Sequence, residues 1–324
     1  MARCLVTGGT GFVGSHLVDA LLAGGHQVRC VVRLTSDLRW LDPRADVIRV
    51  TFRHQDPDLA RAVEGMERVF HLAGAIMAPS ANAFHHANAG TTRTILEACC
   101  SLEQPPRLLH LSSLAAAGPS RPGSALVEED PPRPVSVYGH SKLAAEVVVR
   151  EYAARLPSVI VRAPVVYGPR DRGMLPTFRL ARLPLRPRPR GPRAVSLIHV
   201  EDLVRGLIKA TDTEGPAGLY YLSHRRALAM VEMDRLLARA VGGRGLSFAV
   251  PDWALQAGGG LSERLGRLAG RASIFNRDKA IEMLQAAWVC DPGRSQRDFG
   301  FEATTPHEDG LAATARWYRD EGWF

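Results

Sequence analysis

The sequence has little cysteine and no long apolar run. Its five cysteines are an odd number and form no C-x-x-C pair, which argues against a disulfide framework and against a zinc site. We therefore expect free thiols, most of them buried. No window approaches the roughly 20 apolar residues of a membrane-spanning helix, and no charged leader or cleavage site follows the first residue. These absences predict a cytoplasmic protein without stable membrane insertion.

Lysine is also scarce, since Lys142, Lys209 and Lys279 are the only three, and the formal net charge of +8 comes almost wholly from arginine. The arginines are scattered and lack the interleaved aromatic residues of a groove for single-stranded nucleic acid. No nucleic-acid partner is expected. A positive field instead favours an anionic cofactor or a small anionic substrate.

Strand-like apolar runs alternate with helical patterns through the first half of the chain, which indicates a parallel sheet covered on both faces. The fold class is therefore α/β, a doubly wound parallel sheet (Rossmann) with a smaller, loop-rich C-terminal substrate lobe. We place the dinucleotide-binding domain at 1–166, with 195–222 returning to it, and the substrate lobe at 167–324. The predicted strands are 3–7, 27–32, 46–51, 68–72, 107–112 and 158–162.

Beyond residue 163, frequent prolines break any long element. A further strand is predicted at 195–200, and helices at 230–241, 276–285 and 311–319. The arginine- and proline-rich stretch 179–193 is interpreted as a solvated, mobile loop. Two alternatives stay open for it: a lid that recognises an anionic group such as a phosphate or coenzyme A, and a patch that touches an anionic membrane.

Two groups of apolar and aromatic side chains are assigned in the second lobe. One is an apolar substrate pocket and the other an aromatic cluster that closes the C-terminus, although pocket residues of this kind are more often core. The pocket group is Met174, Leu175, Phe178, Leu180 and Trp253, and the closing group is Trp317, Tyr318, Trp323 and Phe324.

A glycine-rich turn follows the first strand and precedes an apolar helix. Gly8, Gly11 and Gly14 have the G-x-x-G-x-x-G spacing that lets backbone N–H groups approach a pyrophosphate at a helix N-terminus. Thr10, Phe12 and Val13 share this turn. The sequence therefore predicts a dinucleotide site here, against the alternative of a glycine turn without a ligand.

The end of the second strand bears on the choice of cofactor. An NAD-preferring site usually has an acidic residue there, whereas this chain has Arg33. A guanidinium is well matched to a 2′-phosphate, so NADP(H) is favoured and NAD(H) remains possible. The alternative is a solvated surface arginine.

Tyr138 and Lys142 lie one turn apart on a predicted helix. A neighbouring ammonium is expected to lower the pKa of the phenol from its usual value of about 10. Ser112 and Ser113 end the strand at 107–112, at the sheet edge where ligands bind. Ser113 can then hydrogen-bond the reacting oxygen. No histidine has a complementary set of metal ligands, so no metal site is predicted.

In this order the motifs resemble the extended short-chain dehydrogenase/reductases, the NAD-dependent epimerase/dehydratase family, nearly end to end. The pattern is most similar to dihydroflavonol-reductase-like and hydroxysteroid-dehydrogenase-like members. Besides the turn and the residues above, the resemblance is carried by Val69-Phe70-His71-Leu72-Ala73-Gly74, Asn88-Ala89-Gly90-Thr91, Arg162-Ala163-Pro164-Val165-Val166-Tyr167-Gly168-Pro169 and His199-Val200-Glu201-Asp202.

The resemblance implies roles for individual residues. Ser113, Tyr138 and Lys142 would be catalytic, with Ser112 the less favoured hydroxyl and Lys142 holding the nicotinamide ribose. Asn88 would support the central helix through water. The family often binds adenine through an aspartate after the third strand, but here Asp56 would need a shifted register, and Phe52 could stack or pack instead. Cofactor contacts are also implied for Leu72, Ala73, Gly74, Ser112, Pro164, Val165 and Val166.

The residues favour simple alcohol and ketone chemistry with hydride transfer. Pro164 stands where nucleotide-sugar enzymes of the family commonly have asparagine, and no acidic residue follows Ser113. The alternatives are a nucleotide-sugar epimerase or dehydratase with tightly bound NAD, and a non-catalytic dinucleotide sensor. The resemblance further implies a homodimer formed through the helices near 88–100 and 138–152.

Overall fold

The computed structural model describes residues 1–212, 218–268 and 277–324. Within them, fourteen strands follow one another along the chain. They are β1 (Arg3–Thr7), β2 (Gln27–Arg33), β3 (Asp46–Val50), β4 (Arg68–His71), β5 (Arg107–Ser113), β6 (Ser158–Ala163), β7 (Val165–Tyr167), β8 (Leu185–Pro189), β9 (Ala194–Val195), β10 (Leu197–His199), β11 (Gly218–Tyr221), β12 (Leu228–Ala229), β13 (Leu246–Val250) and β14 (Ala287–Trp288).

The same residues form thirteen α-helices, and a π-helical turn at His86–Gly90 joins the third to the fourth. The helices are α1 (Phe12–Ala23), α2 (Pro57–Val63), α3 (Ala81–His85), α4 (Thr91–Cys100), α5 (Leu114–Ala117), α6 (Val137–Glu151), α7 (Leu175–Ala181), α8 (Val200–Asp212), α9 (Met230–Val241), α10 (Asp252–Leu268), α11 (Arg277–Leu284), α12 (Gly293–Phe299) and α13 (His307–Asp320). None of them is long and apolar enough to cross a lipid bilayer, among the residues described.

Seven parallel strands form the main sheet, in the order β11-β6-β5-β4-β1-β2-β3. The chain builds outward from β1 in one direction through β2 and β3, and then in the other from β4 to β11. The strand order therefore reverses between β1 and β4. In open sheets of this kind, ligands bind at the carboxyl ends of the strands beside such a reversal.

Two apolar layers hold helices on opposite faces of this sheet. Leu17 and Leu21 of α1 and Leu203 of α8 pack on one face, while Ile95 of α4 and Val149 of α6 pack on the other. All five side chains are fully buried or nearly so. The structure confirms the predicted doubly wound α/β fold.

Each of the six strands predicted for the first domain is present, with ends that differ by one residue at most. The segment expected to return to this domain contributes β11, which pairs with β6 at one edge. The division of the chain near residue 166 stays a prediction.

The single strand predicted at 195–200 is wrong, because the chain changes sheets at Ser196. Before it, β9 pairs with β12 and β14, and after it β10 pairs with β7.

The later helices follow the periodicity closely. Helix α9 has the predicted bounds, and α13 begins four residues before the predicted start, directly after Pro306. Helix α11 matches the prediction for 276–285, although Asn276 lies outside the described residues. All five cysteines are free and four are buried, as predicted.

The interpretation of 179–193 as a mobile loop is wrong, although most of its residues are exposed to solvent as predicted. The segment contains the end of α7 and the whole of β8, which pairs in parallel with β13. Arg186 is 5% exposed, and its guanidinium forms two hydrogen bonds of 3.0 Å to the carboxylate of Asp234 on α9. Strand pairing and this ion pair order the segment.

Candidate active site

The glycine-rich turn after β1 has a geometry that only glycine fits at two positions. Gly8 has φ +76°, in the left-handed region, and a Cβ on Gly14 would lie 2.0 Å from the carbonyl oxygen of Gly8. Helix α1 starts at once, with Gly11 as its N-cap and no side chain bonded to its first amides. These N–H groups can therefore hold a diphosphate, and the residues present fit a dinucleotide.

Other predicted cofactor contacts meet at the same edge of the sheet. A Cβ on Gly8 would lie 2.8 Å from the backbone nitrogen of Ala73, so the turn and the segment Leu72–Gly74 are in close contact. Pro164 to Val166 follow β6 at its carboxyl end, two strands away from β4. Together these segments line the crevice beside the reversal in strand order.

Arg33 is exposed at the carboxyl end of β2, where a ribose 2′-phosphate would be recognised. Arg49 of the neighbouring strand donates to the backbone carbonyl oxygens of Arg33 and Leu34, at 3.3 and 2.8 Å. The structure therefore places a second arginine beside the first, which the sequence pattern did not single out.

The adenine end differs from the family pattern. The Asp56 carboxylate is the N-cap of α2, and it accepts hydrogen bonds from Thr51 (N 2.8 Å, Oγ1 2.7 Å) and from the Asp58 amide at 3.1 Å. Burial alone would raise the pKa of Asp56, but these hydrogen bonds outweigh it and lower the pKa. This carboxylate is therefore committed to the loop and to α2. Phe52 packs partly buried against the core beneath.

Helix α6 begins at a well-formed cap. The Ser136 hydroxyl accepts a hydrogen bond of 3.0 Å from the amide of Gly139, which fixes the first turn that carries Tyr138. Ser113 ends β5, and its hydroxyl lies near enough to the Tyr138 phenol to lower the pKa of that phenol. The Ser113 hydroxyl also accepts a bond of 3.1 Å from the Ala115 amide. The structure thus brings the predicted serine and tyrosine together.

The expectation that the Tyr138 pKa is lowered is wrong for the protein alone. Burial raises this pKa to about 12, the nearby Ser113 hydroxyl opposes the rise, and the negative charge of Glu282 adds to it. In the protein alone Lys142 does not offset this rise, and its ammonium donates to the Leu111 carbonyl oxygen at 2.7 Å. At neutral pH the phenol therefore keeps its proton.

Lys142 is buried one turn after Tyr138. Burial lowers the pKa of its ammonium to about 8, and the carboxylate of Glu146 partly opposes this. A Cβ on Gly74 would lie 3.9 Å from the Lys142 Nζ, so this ammonium reaches the crevice next to the predicted cofactor segment. It carries a positive charge at pH 7 and has further N–H donors to offer a ribose.

A buried ion pair lies beneath α6. Both oxygens of Glu146 accept bonds from the Arg162 guanidinium, at 2.8 and 2.7 Å, and the Ser112 hydroxyl donates to Glu146 at 2.6 Å. The two charged side chains are 0% and 1% exposed. Ser112 therefore turns its hydroxyl away from Ser113 and into this pair. Its hydroxyl positions α6 on the sheet, although its backbone lies at the crevice.

Asn88 joins two of these elements directly. Its amide nitrogen donates a hydrogen bond of 2.8 Å to the Ser141 hydroxyl, which in turn donates a hydrogen bond of 2.7 Å to the Tyr138 carbonyl oxygen. Its carbonyl oxygen accepts a bond of 2.8 Å from the Ala75 amide. The support predicted through water is made here by side chains in contact, and it links the loop after β4 to the catalytic helix.

A row of polar side chains crosses three strands behind this site and was missed from the sequence. Thr7, His71 and His110 are cross-strand neighbours on β1, β4 and β5. His71 bonds Thr7 at 2.7 Å and Thr92 at 2.9 Å. Burial lowers its pKa to about 3, with Lys142 adding to the effect, so the ring is neutral. In the sequence, Thr7, His71 and His110 each lie within an apolar strand pattern, which gives no sign that they contact one another.

Two carboxylates of α11 hold the start of α6, and sequence reasoning missed both. Asp278 accepts from the amides of Val137 and Tyr138, at 2.9 and 3.4 Å, and Glu282 accepts from the Ser136 hydroxyl at 2.7 Å. About 140 residues separate the partners. Because no local pattern marks such a contact, only the tertiary structure reveals it.

The predicted apolar pocket is not assembled. Phe178 is fully buried in the core, with its ring 5.1 Å from that of Tyr318, whereas Trp253 is 71% exposed. The predicted C-terminal cluster is confirmed, since the rings of Trp317, Tyr318, Trp323 and Phe324 pack on one another.

Comparison with known proteins identifies the family. Residues 4–221 match the NAD dependent epimerase/dehydratase family. The chain belongs to this family. It is 32% identical to a ceramide reductase of Caulobacter vibrioides, over 98% of this chain and 95% of the relative. It is 28% identical to a 4-hydroxy-2-methyl-3-oxo-4-farnesyl-3,4-dihydroquinoline-1-oxide ketoreductase of Stigmatella aurantiaca, over 96% of this chain and 95% of the relative.

Solved structures agree with this assignment. The crystal structure of gox2253 is similar with a TM-score of 0.81 and 25% identity over 99% of both chains. The dTDP-glucose 4,6-dehydratase DesIV from Streptomyces venezuelae, solved with NAD and TYD bound, is similar with a TM-score of 0.80 and 25% identity, over 99% of this chain and 98% of the DesIV chain. The resemblance seen in the motifs is confirmed. The protein is an enzyme of the extended short-chain dehydrogenase/reductase family, for which an NAD(P) cofactor is expected.

Proposed function

We propose that this enzyme reduces a ketone to a secondary alcohol with NAD(P)H, and that Tyr138 is the proton donor. The observation that carries this is the placement of Ser113 at the carboxyl end of β5 and of Tyr138 and Lys142 on the first turns of α6, at the crevice lined by Gly74, with burial raising the pKa of the Tyr138 phenol to about 12. A phenol that keeps its proton at neutral pH can protonate a carbonyl oxygen as it becomes an alcohol.

Each residue has a defined part in this mechanism. Ser113 hydrogen-bonds the substrate oxygen, and Tyr138 delivers the proton to it. Lys142 holds the nicotinamide ribose and places a positive charge beside the phenol, which stabilises the phenolate left after proton transfer. Asn88, Asp278 and Glu282 keep the first turn of α6 in place. When bound, the reduced nicotinamide supplies the hydride.

Reduction is favoured over nucleotide-sugar chemistry by the residues around Ser113. Leu114 to Ala117 follow it as a buried apolar helix, which places no carboxylate next to the serine for elimination of water. Two full-length relatives are reductases of a ceramide and of a farnesylated quinoline oxide. We therefore propose an apolar, lipid-like ketone as the substrate class.

NADPH is the proposed electron donor. Arg33 at the end of β2 is exposed, so it is available to form a charge-assisted bond to a 2′-phosphate, and Arg49 holds the loop that follows. The corresponding acidic residue of an NAD site is absent from this position.

The test is stoichiometric consumption of NADPH with a panel of apolar ketones, followed by absorbance. We expect one NADPH oxidised per alcohol formed, and loss of turnover in a Tyr138→Phe variant that still binds the dinucleotide. A protein that retains NAD through purification and interconverts nucleotide sugars without net cofactor turnover would contradict the proposal and favour an epimerase or dehydratase.

We also propose a homodimer through α4 and α6, as is common for related folds. Val147 on α6 is 47% exposed, which leaves an apolar side chain on the outer surface of that helix. Light scattering coupled to size exclusion tests this, with twice the chain mass of 35.3 kDa expected.

A further inference from the structure

The small parallel sheet formed by β8 and β13 turns apolar side chains towards solvent and a charged side chain towards the protein interior. Leu185 pairs with Leu246, and Pro187 pairs with Phe248. These four side chains share one side of the sheet because alternate residues of a strand point the same way. All four are exposed, with 62% for Leu185 and 74% for Leu246. We call this side the outer sheet face.

The opposite side of the same sheet carries charge and faces inward. Arg186 is buried there, bonded to both oxygens of Asp234 and, at 2.7 Å, to the Gly245 carbonyl oxygen. A shift of one residue would expose this ion pair and bury the apolar side chains, and the paired charges prevent it. The outward position of the apolar residues is therefore fixed by the fold.

Two further exposed apolar side chains lie close to the outer sheet face in sequence. Leu183, two residues before β8, is 48% exposed, and Trp253, three residues after β13, is 71% exposed. A large aromatic side chain with an N–H group is suited to the boundary between lipid and water. Monomeric proteins rarely expose contiguous apolar surface of this kind without a partner.

The two segments that build the face are strongly basic. Neither 179–193 nor 239–251 contains an acidic residue, and together they hold eight arginines. The exposed Asp252, which follows directly, bonds one of them, Arg193, at 3.1 Å. Five of the eight arginines are exposed. Arg190 and Arg244 adjoin the strand ends, whereas Arg179 and Arg182 contact Trp323 and Phe324 and Arg239 lies on α9.

We propose that the outer sheet face docks on an anionic lipid bilayer, with its apolar residues in the interface and the surrounding arginines on the phosphates. Apolar side chains and basic residues together are the combination that binds peripheral proteins to such membranes. A second copy of this chain fits less well, because a symmetric contact would bring one basic rim against the other. The inference goes beyond the proposed function and does not depend on it.

Vesicle co-sedimentation of the full chain tests the proposal. The probes are vesicles of equal parts phosphatidylglycerol and phosphatidylcholine, and vesicles of phosphatidylcholine alone. We expect binding to the anionic vesicles that weakens with salt. An Arg190→Glu, Arg244→Glu double variant should bind at least about 25-fold more weakly, at about fivefold for each arginine removed. Phe248→Ser should weaken binding roughly tenfold.

A matched control keeps the same change in net charge. Arg61→Glu with Arg121→Glu reverses two exposed arginines, one on α2 and one before the catalytic helix, and should bind like the unmodified protein. Tyr138→Phe should also bind normally, so a failure of the proposed catalysis is distinguishable from a failure of docking.

Three results would overturn the inference. One is the absence of binding to anionic vesicles, and another is equal weakening in the control and the Arg190, Arg244 variant. The third is an oligomer that Phe248→Ser converts to a smaller species, since this would show that a second copy covers the face.

Discussion

Neutralising Glu282 is the sharpest test of how helix α11 acts on Tyr138, the proposed proton donor. Its carboxylate accepts a bond from Ser136 and raises the pKa of Tyr138. Glu282→Gln keeps an oxygen acceptor for the serine hydroxyl but removes the charge. The side chain is 13% exposed, so solvent screens its charge only in part.

The size of the effect follows from Coulomb's law. At an effective dielectric constant of about 20, the interaction between two unit charges falls from about 4 kcal/mol at a separation of about 4 Å to roughly 2 kcal/mol at about 8 Å, and the smaller value is taken for Glu282 and the Tyr138 phenolate. Lys279 lies 2.9 Å from the same carboxylate and offsets part of this interaction. If about half remains, the Tyr138 pKa falls by about 0.7 in the variant.

The direction of the change can be read from both reactions. Alcohol oxidation needs the phenolate, so its rate rises with pH through the Tyr138 pKa, and a lower pKa moves this rise to lower pH. Ketone reduction needs the protonated phenol, so its rate falls as pH rises through the Tyr138 pKa. In the variant this fall should also move to lower pH.

The assay is the pH dependence of kcat/KM for the unmodified protein and Glu282→Gln. Glu129→Gln is the control, since it removes an exposed carboxylate that bonds Arg294 and does not act on the Tyr138 pKa. The reasoning is refuted if the Glu282→Gln profile coincides with the unmodified one or moves to higher pH.

Three further predictions concern single residues. Tyr138→Phe should lower kcat by about 10²- to 10⁴-fold with little change in dinucleotide affinity; a loss below tenfold would remove its role as proton donor. Arg33→Ser should raise KM for NADPH about 10- to 100-fold but leave KM for NADH nearly unchanged; equal effects on the two would show that Arg33 does not read the 2′-phosphate. Arg162→Met should lower the free energy of unfolding by about 3 kcal/mol, the lower end of the range for breaking a buried pair, because Glu146 loses its buried partner and keeps Arg150 at 3.2 Å and Ser112 at 2.6 Å; denaturant unfolding measures this, and a change under 1 kcal/mol would show that the pair is unimportant.

Local patterns in the sequence were sufficient for the main sheet and for the residues that line its crevice. Strands buried on both faces are continuous apolar runs in the sequence. Gly8, Gly11 and Gly14 all lie in the turn after β1 or in the first turn of α1, so their spacing alone identifies the motif. Tyr138 and Lys142 could be paired because one helical turn separates them. Their roles in catalysis remain proposals.

Long-range contacts were not accessible in this way. The prediction for 179–193 failed because proline and arginine are typical of loops, yet Asp234 neutralises Arg186 and β13 pairs with β8. Likewise the strand predicted at 195–200 is divided between two sheets, which depends on partners far away in the chain.

The sequence by itself determined the doubly wound fold and the family, since both depend on periodicity and on residues a few positions apart. The tertiary structure decided the protonation of the site. Burial raises the Tyr138 pKa, Lys142 bonds a backbone carbonyl oxygen, and Glu282 of α11 bonds Ser136 at the start of α6, 146 residues earlier in the chain. Desolvation and charge act through space, so their balance is set by the folded packing and not by neighbours in the chain.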